Sequence, residues 1–514
     1  MCGILFVLNP TDKSFDERLK TLIPRGPDEY SSVVGENYIA GHTRNCITNP
    51  MGGKQPIEQG PWVIVHNGEI YNGMDNAESD SYHILQCLNE FGPEKTPSQL
   101  DGVFAYVAYN TESGEYYATR DPIGVIPMYM AKDGDTIWFS NELKALKGLD
   151  AEVVMPGHLV TKAGSTQYKK PYSDDIPTGN YRAGELERLV TDACLKRLHL
   201  DVPWGILISG GLDSSIIGTV INTIYTDTVK WNGDIHTFSI GLEGSPDLEK
   251  AKEMSRQMDA IHHEYIFTVK EGLEVLRNVI YAIETYDVTT IRASVPMYLL
   301  GKYIHKCGVK VVFSGEGSDE LFGGYLYYKH CPNRGEMHAE CVDKMERLHY
   351  HDCLRANKSM ACHGVETRVP FLDKDLVDYA MNVLDPVYKL SGTHPSGEKS
   401  TKWLLRDEFR FYLSYGLRTR KKEQFSDGVG YQWIASLKEH AEKTVHNFEK
   451  ADVLYPFQTP KTKEAFLYRE IFTDLFGSKG ERTVFYSDDT CACSTERGLT
   501  WSDTFKKDPS AKDL

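Results

Sequence analysis

The chain has 514 residues, is 41% hydrophobic and 25% charged, and carries a formal net charge of -16. That length exceeds one ordinary core, so two domains are expected, and the acidic balance speaks against nucleic acid as a partner. No apolar run approaches the ~20 residues of a membrane helix, which removes the bilayer from the expected partners.

The opening string MCGILFVLNP is apolar, but no basic region precedes it and no small-residue cleavage site follows. It reads as a strand rather than a signal peptide. Eleven irregularly spaced cysteines suit free thiols in a reducing compartment, and the cytoplasm is the expected location. Further strands are expected at WVIVH, GVFAYVAY, EYYATR and TIWFSN, all rich in β-branched and aromatic residues and bounded by turn formers. SDSYHILQCLNEFG has a polar cap, apolar positions at helical spacing and a Gly stop. Residues 2–176 are therefore expected to form a layered α+β domain. It ends in the polar, turn-rich linker KKPYSDDIPTGNYRAG.

Beyond the linker the rhythm changes to strand–helix alternation. Helix ELERLVTDACLKRLHL leads to strand WGILIS, helix SSIIGTVINTIY, strand IHTFSI, helix PDLEKAKEMSRQM and strand HHEYIFT. Two more helices follow, then strand VKVVFS. Residues 177–514 are expected to form an α/β domain with a parallel sheet and, after about residue 325, a mainly helical part. The tail is polar and is expected to be loosely held.

ILISGGLDSS joins an apolar strand to a helix through two glycines. Gly210 and Gly211 permit close backbone approach, and the helix behind them offers unpaired N–H groups at its positive end. Ser209, Ser214 and Ser215 add hydroxyls, and Asp213 suits a magnesium ion carried by polyphosphate. The string is not the Walker pattern. It resembles the pyrophosphate loop of the ATP pyrophosphatase family, which cleaves ATP between the α and β phosphates. The resemblance implies adenine contacts at Leu207 and Ile240, with Leu212, Ser314 and Gly315 completing the nucleotide site.

VVFSGEGSDELFGGY repeats that grammar, with Glu316, Asp319 and Glu320 in the turn. Three carboxylates at the carboxyl end of a parallel strand are costly unless a cation or protons neutralise them. Together with ETYDVTTIRASVPMY, HDCLRANKSM, GVETRVPFLD and KKEQFSDGVGYQWI, this loop resembles the glutamine-dependent asparagine synthetase family over nearly the whole second half. The resemblance implies ATP, L-aspartate and L-glutamine as substrates, Mg2+ entering with ATP, and a β-aspartyl-AMP intermediate. Carried over by motif, Glu316 is the catalytic glutamate and Lys422 the cation facing the phosphate. Asp319 is a second magnesium ligand beside Asp213. Thr289, Thr290, Arg292, Asp352 and Arg355 are candidates for aspartate, phosphate or the intermediate. A homodimer is a candidate assembly.

Amide synthesis needs unprotonated ammonia, and this gives Cys2 a purpose. Loss of Met1 would free an α-amine, of pKa about 7.7–8, beside a thiol of about 8.5, a nucleophile and base within one residue. RGPDEY, GHTRNCI and HNGEIYN resemble the N-terminal-nucleophile amidotransferase domain, an αββα glutaminase fold. That resemblance makes Asn67 and Gly68 the oxyanion hole, and Arg44, Asn45, Cys46, Ile47, Thr48, Glu69 and Asp80 the remaining glutamine contacts. Arg44 suits the substrate α-carboxylate and Asp80 its α-ammonium. The chain departs from the family pattern at Pro24, at Asn45 and Cys46, and in a shortened connection before ESD. The last two departures are expected to alter the wall and closure of the glutamine pocket. A β-lactam synthetase, which shares the second fold, lacks the Cys2 nucleophile. The pairs CAC, HH and HYH have no second pair at zinc-ligand spacing.

Overall fold

Alternation along Gly3–Leu8 organises the N-terminal half. Ile4, Phe6 and Leu8 join one buried cluster with Val63, Val65, Ala105 and Val107, whereas Leu5 and Val7 join another with Phe15 and Leu19. A strand with both faces buried must lie between two layers. In the computed structural model, residues 1–11, 13–49, 52–72, 79–226, 234–393, 399–420, 425–430, 432–486 and 494–503 are described.

Twelve strands among the described residues build the N-terminal part. They are β1 (Gly3–Leu8), β2 (Glu29–Val34), β3 (Tyr38–Arg44), β4 (Ile57–Gln59), β5 (Trp62–Ile70), β6 (Gly102–Asn110), β7 (Tyr116–Arg120), β8 (Tyr129–Asp133), β9 (Thr136–Ser140), β10 (Asp150–Val153), β11 (His158–Thr161) and β12 (Gly164–Gln167). They form two sheets ordered β10-β8-β9-β1-β3-β2 and β12-β11-β7-β6-β5-β4. Outside the second sheet, Ile64, Ile70, Phe104 and Tyr106 cover Ile84, Leu85 and Leu88 of helix Ser81–Phe91. Helix Phe15–Lys20 covers the first sheet, so the layers run α, β, β, α, as expected.

The second half contains a parallel sheet ordered β15-β14-β13-β16-β17, from β13 (Trp204–Leu207), β14 (His236–Gly241), β15 (Ile261–Ile266), β16 (Val311–Phe313) and β17 (Glu366–Arg368). Helices Leu212–Ile224 and Pro246–Gln257 follow β13 and β14, as their patterns predict. β17 lies in the stretch expected to be mainly helical. It has only three residues, two of them charged, so its own sequence carries little strand signal. Pairing with β16 and burial of all three residues fix it. Among the described residues, no helix is long and apolar enough to cross a membrane.

Buried charges cross between the two halves. Lys358 and Lys144 both pair with Glu284, Lys144 also pairs with Glu142, and Arg25 pairs with Glu142. Such charges stay ionised inside a protein only when each has its partners.

Candidate active sites

A cavity opens at the carboxyl ends of β13, β14 and β16, where open α/β sheets gather their ligand loops. Ser209, Gly211, Leu212, Asp213 and Ser214 line it on one side, and Ser314, Gly315, Glu316 and Asp319 on another. The first loop is closed by its own groups: Gly211 N–H donates to Ser209 Oγ, and Ser214 Oγ donates to Gly211 O, both at 3.3 Å. Beyond it, helix Leu212–Ile224 directs its first-turn N–H groups outward, the arrangement that receives anions. Leu207, Phe238, Ile240, Met297 and Leu300 supply an apolar wall.

The two loops meet through hydrogen bonds. Ser318 Oγ donates to Asp213 Oδ1 at 2.9 Å. Lys402 Nζ is 2.8 Å from Asp213 Oδ1 and 2.6 Å from Asp319 Oδ1. Sequence reasoning missed Lys402. It arrives from the helical region, begins helix Trp403–Glu408 with φ +53°, and its side chain is 3% exposed. Its ammonium shows that the Asp213–Asp319 pair accepts a cation.

Arg355, on helix Asp352–Ala361, stands between Glu316 and Asp352, at 2.5 Å from each. Burial pushes Glu316 above the usual carboxylate range against the pull of Arg355. Burial, with Asp352 and Asp319 nearby, pushes Glu320 up to about 8. Thr289, Thr290, Asp352 and Arg355 line the cavity, as do the unexpected Asp287 and His351.

Two expected residues lie differently. Gly210 is absent from the lining; its φ of +66° turns the loop from beneath. Arg292 leaves the cavity, because helix Val288–Lys306 turns Thr289, Ala293, Met297 and Leu300 inward and Arg292 away. Its guanidinium pairs with Glu464 at 2.6 Å. Lys422 lies outside the described residues. Arg420, two residues earlier, lines the cavity and donates to Ser209 O at 3.2 Å, which ties that segment to the first loop.

A second, smaller pocket lies where β1, β3 and β5 converge. Cys2, Arg44, Asn45, Ile47, Thr48, Gly68, Glu69 and Asp80 line it. Cys2 N donates to Asn67 Oδ1 at 2.7 Å, while Asn67 Nδ2 is buried without a hydrogen-bond partner. A buried donor left unpaired is costly and calls for an acceptor. Gly68 has φ +134°, and a Cβ there would come within 2.0 Å of Val103 O, so no other residue fits. Cys2 O accepts from Arg25 Nε at 3.0 Å and Asn141 Nδ2 at 3.1 Å, which fixes the start of β1. Burial pushes the Cys2 thiol up, opposed chiefly by the neighbouring amino group of Met1.

Arg44 is held by Glu29 Oε2 at 3.1 Å and Asn49 O at 3.0 Å. Asp80 Oδ2 accepts from Ile70 N–H at 2.9 Å. His42 and His66 also line the pocket and were not anticipated; burial lowers both, His42 to about 3. Asn45 lines the pocket but donates to Gly364 O at 3.0 Å, across to the other domain. Cys46 is absent from the lining: its N–H donates to Asp28 Oδ2 at 2.7 Å. The expected wall change therefore comes from Asn45 and not from Cys46. The shortened connection before ESD, residues 73–77, falls outside those described.

Residues 1–170 match the family described as glutamine amidotransferase domain, and residues 185–338 and 330–495 match the family described as asparagine synthase. The chain is 42% identical to asparagine synthetase (glutamine-hydrolysing) 2 of Oryza sativa subsp. japonica, over 100% of this chain and 92% of that protein. It is 40% identical to asparagine synthetase (glutamine-hydrolysing) 1 of Arabidopsis thaliana and 41% identical to the Brassica oleracea enzyme of that name. Each of these comparisons spans 100% of this chain and 93% of the relative.

Proposed function

The chain belongs to the glutamine-hydrolysing asparagine synthetases, and on that premise we propose how its own residues divide the work. It is an AMP-forming ligase that converts L-aspartate, ATP, L-glutamine and water into L-asparagine, AMP, diphosphate and L-glutamate. The working division falls near residue 176, with glutamine cleaved before it and the amide made after it.

Loss of Met1 frees the Cys2 α-amine. The amine takes the thiol proton as Cys2 Sγ attacks the carboxamide carbon of glutamine. Asn67 Nδ2 and the Gly68 N–H hold the oxyanion that forms. The carbon–nitrogen bond breaks, ammonia leaves with the proton, and water hydrolyses the γ-glutamyl thioester. Arg44 holds the substrate α-carboxylate, and Asp80 its α-ammonium.

In the other cavity, a side-chain carboxylate oxygen of aspartate bonds to the α-phosphorus of ATP while the bond to diphosphate breaks. The Ser209–Ser214 loop receives the diphosphate, and the apolar wall from Leu207 to Leu300 takes the adenine. Mg2+ travelling with ATP would be held by Asp213 and Asp319, hard oxygen donors that already accept a cation, and would offset phosphate charge. Lys422 and Arg355 add positive charge. Ammonia then attacks the acyl carbon, Glu316 takes its proton, and AMP leaves with the electron pair of the carbon–oxygen bond. Its raised affinity for protons suits Glu316 to that acceptance.

The observation that carries this reading is the meeting of both Gly-rich loops around Asp213 and Asp319 in one cavity. The test supplies ATP, magnesium and aspartate with either glutamine or ammonium, and measures AMP, diphosphate and asparagine. Cys2→Ala is expected to lose glutamine-dependent synthesis and keep the ammonium-dependent reaction. Loss of both in a folded protein, or ADP in place of AMP, would refute it.

A further inference from the structure

We infer that Glu366, a carboxylate of the synthetase domain, is a positioning residue of the glutaminase centre. This rests on the reading of Cys2 as a nucleophile freed by loss of Met1. β17 turns Glu366 and Arg368 to the same face, two residues apart. Glu366 Oε2 accepts the Met1 amino group at 2.5 Å, with both side chains at most 5% exposed. Arg368 Nε donates to Glu366 Oε1 at 2.9 Å, and the same guanidinium pairs with Glu69, the residue after Gly68. Glu366 also lines the pocket that contains Cys2, Arg44 and Asp80.

Excision of Met1 moves the ammonium one residue along the chain. The Cys2 nitrogen already spends one bond on Asn67 Oδ1, and as an ammonium it has further protons to place. Glu366 is the carboxylate on the side that Met1 vacates; Arg368, which it shares with Glu69, stays on its Oε1, and its Oε2 is left to receive the new amine. The amine is thus seated between Asn67 and Glu366, beside its own thiol. Both parts of the oxyanion hole are tied to this seat, Asn67 directly and Gly68 through Glu69 and Arg368. The other charged and titratable groups around Cys2 and its amine are Arg25, which donates to Cys2 O, Arg44 and His42 on β3, His66 and Glu69 on β5, and Asp80.

The same strand touches the second centre. Arg368 O accepts the Ser314 N–H at 2.9 Å, at the start of the loop that carries Glu316. One three-residue strand therefore seats the amino terminus with its side chains and the acidic loop with its backbone.

The test uses full-length Glu366→Gln enzyme whose intact mass shows that Met1 is gone. The kcat for glutamine hydrolysis is expected to fall roughly 10-fold or more, about 1.4 kcal/mol, with KM for glutamine changed less than about twofold. Ammonium-dependent synthesis stays within about twofold of wild type. Alkylation of Cys2 by iodoacetamide shifts to lower pH, because a negative charge that disfavours the thiolate has gone. Glu366→Asp recovers part of the kcat, and it decides the matter by its own kcat loss and alkylation profile if the Gln variant does not fold. Unchanged kcat and alkylation would overturn the inference, as would equal loss of both activities, which would make β17 a structural strand alone. The underlying reading fails separately, if Cys2→Ala still makes asparagine from glutamine.

Discussion

Lys402 holds Asp213 in a two-point grip, its ammonium 2.8 Å from each carboxylate oxygen. The same nitrogen reaches Asp319, so one lysine keeps the acidic ends of two separate loops together. Charge-assisted bonds of this kind contribute about 1.5–3 kcal/mol each, and their loss leaves two carboxylates to repel one another. Lys402→Met is therefore expected to lower asparagine synthesis from either nitrogen source by roughly 10-fold or more while glutamine hydrolysis persists. Steady-state assays with both nitrogen donors check this. Synthesis at the wild-type rate would show that the loops hold their places without the ammonium.

Asn67 has two duties that substitution can separate. Its Oδ1 accepts from Cys2 N, and its Nδ2 is the buried, unpartnered donor. Asn67→Asp keeps an acceptor and removes the donor. Loss of one oxyanion donor costs about 10²–10³ in kcat, and glutamine hydrolysis should fall by that order with ammonium-dependent synthesis intact. A variant that hydrolyses glutamine normally would take Asn67 out of the oxyanion hole.

Glu320 predicts a pH dependence of stability. It is 2% exposed, and its carboxyl is pushed up to about 8 by burial and by Asp352 and Asp319. An unfolded Glu titrates near ~4.3, so between that value and about 8 the folded chain holds a proton that the unfolded chain has released. Stability from this group thus falls as pH rises through that window. Glu320→Gln removes the dependence: its melting temperature should exceed that of wild type at pH ~9, with the gap narrowing toward pH ~5. Thermal melts across that range decide it. A gap that does not vary with pH would mean that Glu320 is ionised throughout.

Local rhythm made much of this legible in advance. The strand, the Gly-Gly turn and the helix of ILISGGLDSS lie within ten residues, so their sequence alone points to an anion site. Thr289 and Thr290 could be placed by motif, but the same motif also offered Arg292, which helical rotation sends to Glu464 instead. Asn45 and Cys46 follow Arg44 in sequence, yet β3 ends at Arg44 and the chain turns toward the other domain, where Asn45 meets Gly364. Lys402, Glu366 and Arg368 were invisible for a different reason. Their decisive partners lie far along the chain, Asp319 for Lys402, Met1 for Glu366, and Glu69 and Ser314 for Arg368, and β17 is too short to show a period. Long-range pairing is the part of a fold that no local pattern records.

The adjacent glycines of the phosphate loop offer the most discriminating prediction. Gly210 has φ +66°, and a Cβ there would lie 2.4 Å from Lys250 Cβ and 2.6 Å from its carbonyl carbon. Gly211 has φ -76° and ψ 166°, open to any residue, and its Cβ would meet only Ser209 Oγ at 3.2 Å. The first glycine is required by the fold, because the turn beneath it is filled by helix Pro246–Gln257. The second is required by what enters the cavity that it lines. Gly210→Ala should lower stability by about 1–3 kcal/mol, since it adds left-handed strain and a backbone clash. Gly211→Ala should melt near the wild-type temperature, yet bind ATP roughly 10-fold more weakly, because its methyl group takes space meant for phosphate oxygens. Thermal melts and the KM for ATP, measured on both variants, separate the two roles. Normal melting of Gly210→Ala would show that the turn tolerates a side chain there, and normal ATP binding by Gly211→Ala would show that phosphate does not approach that glycine.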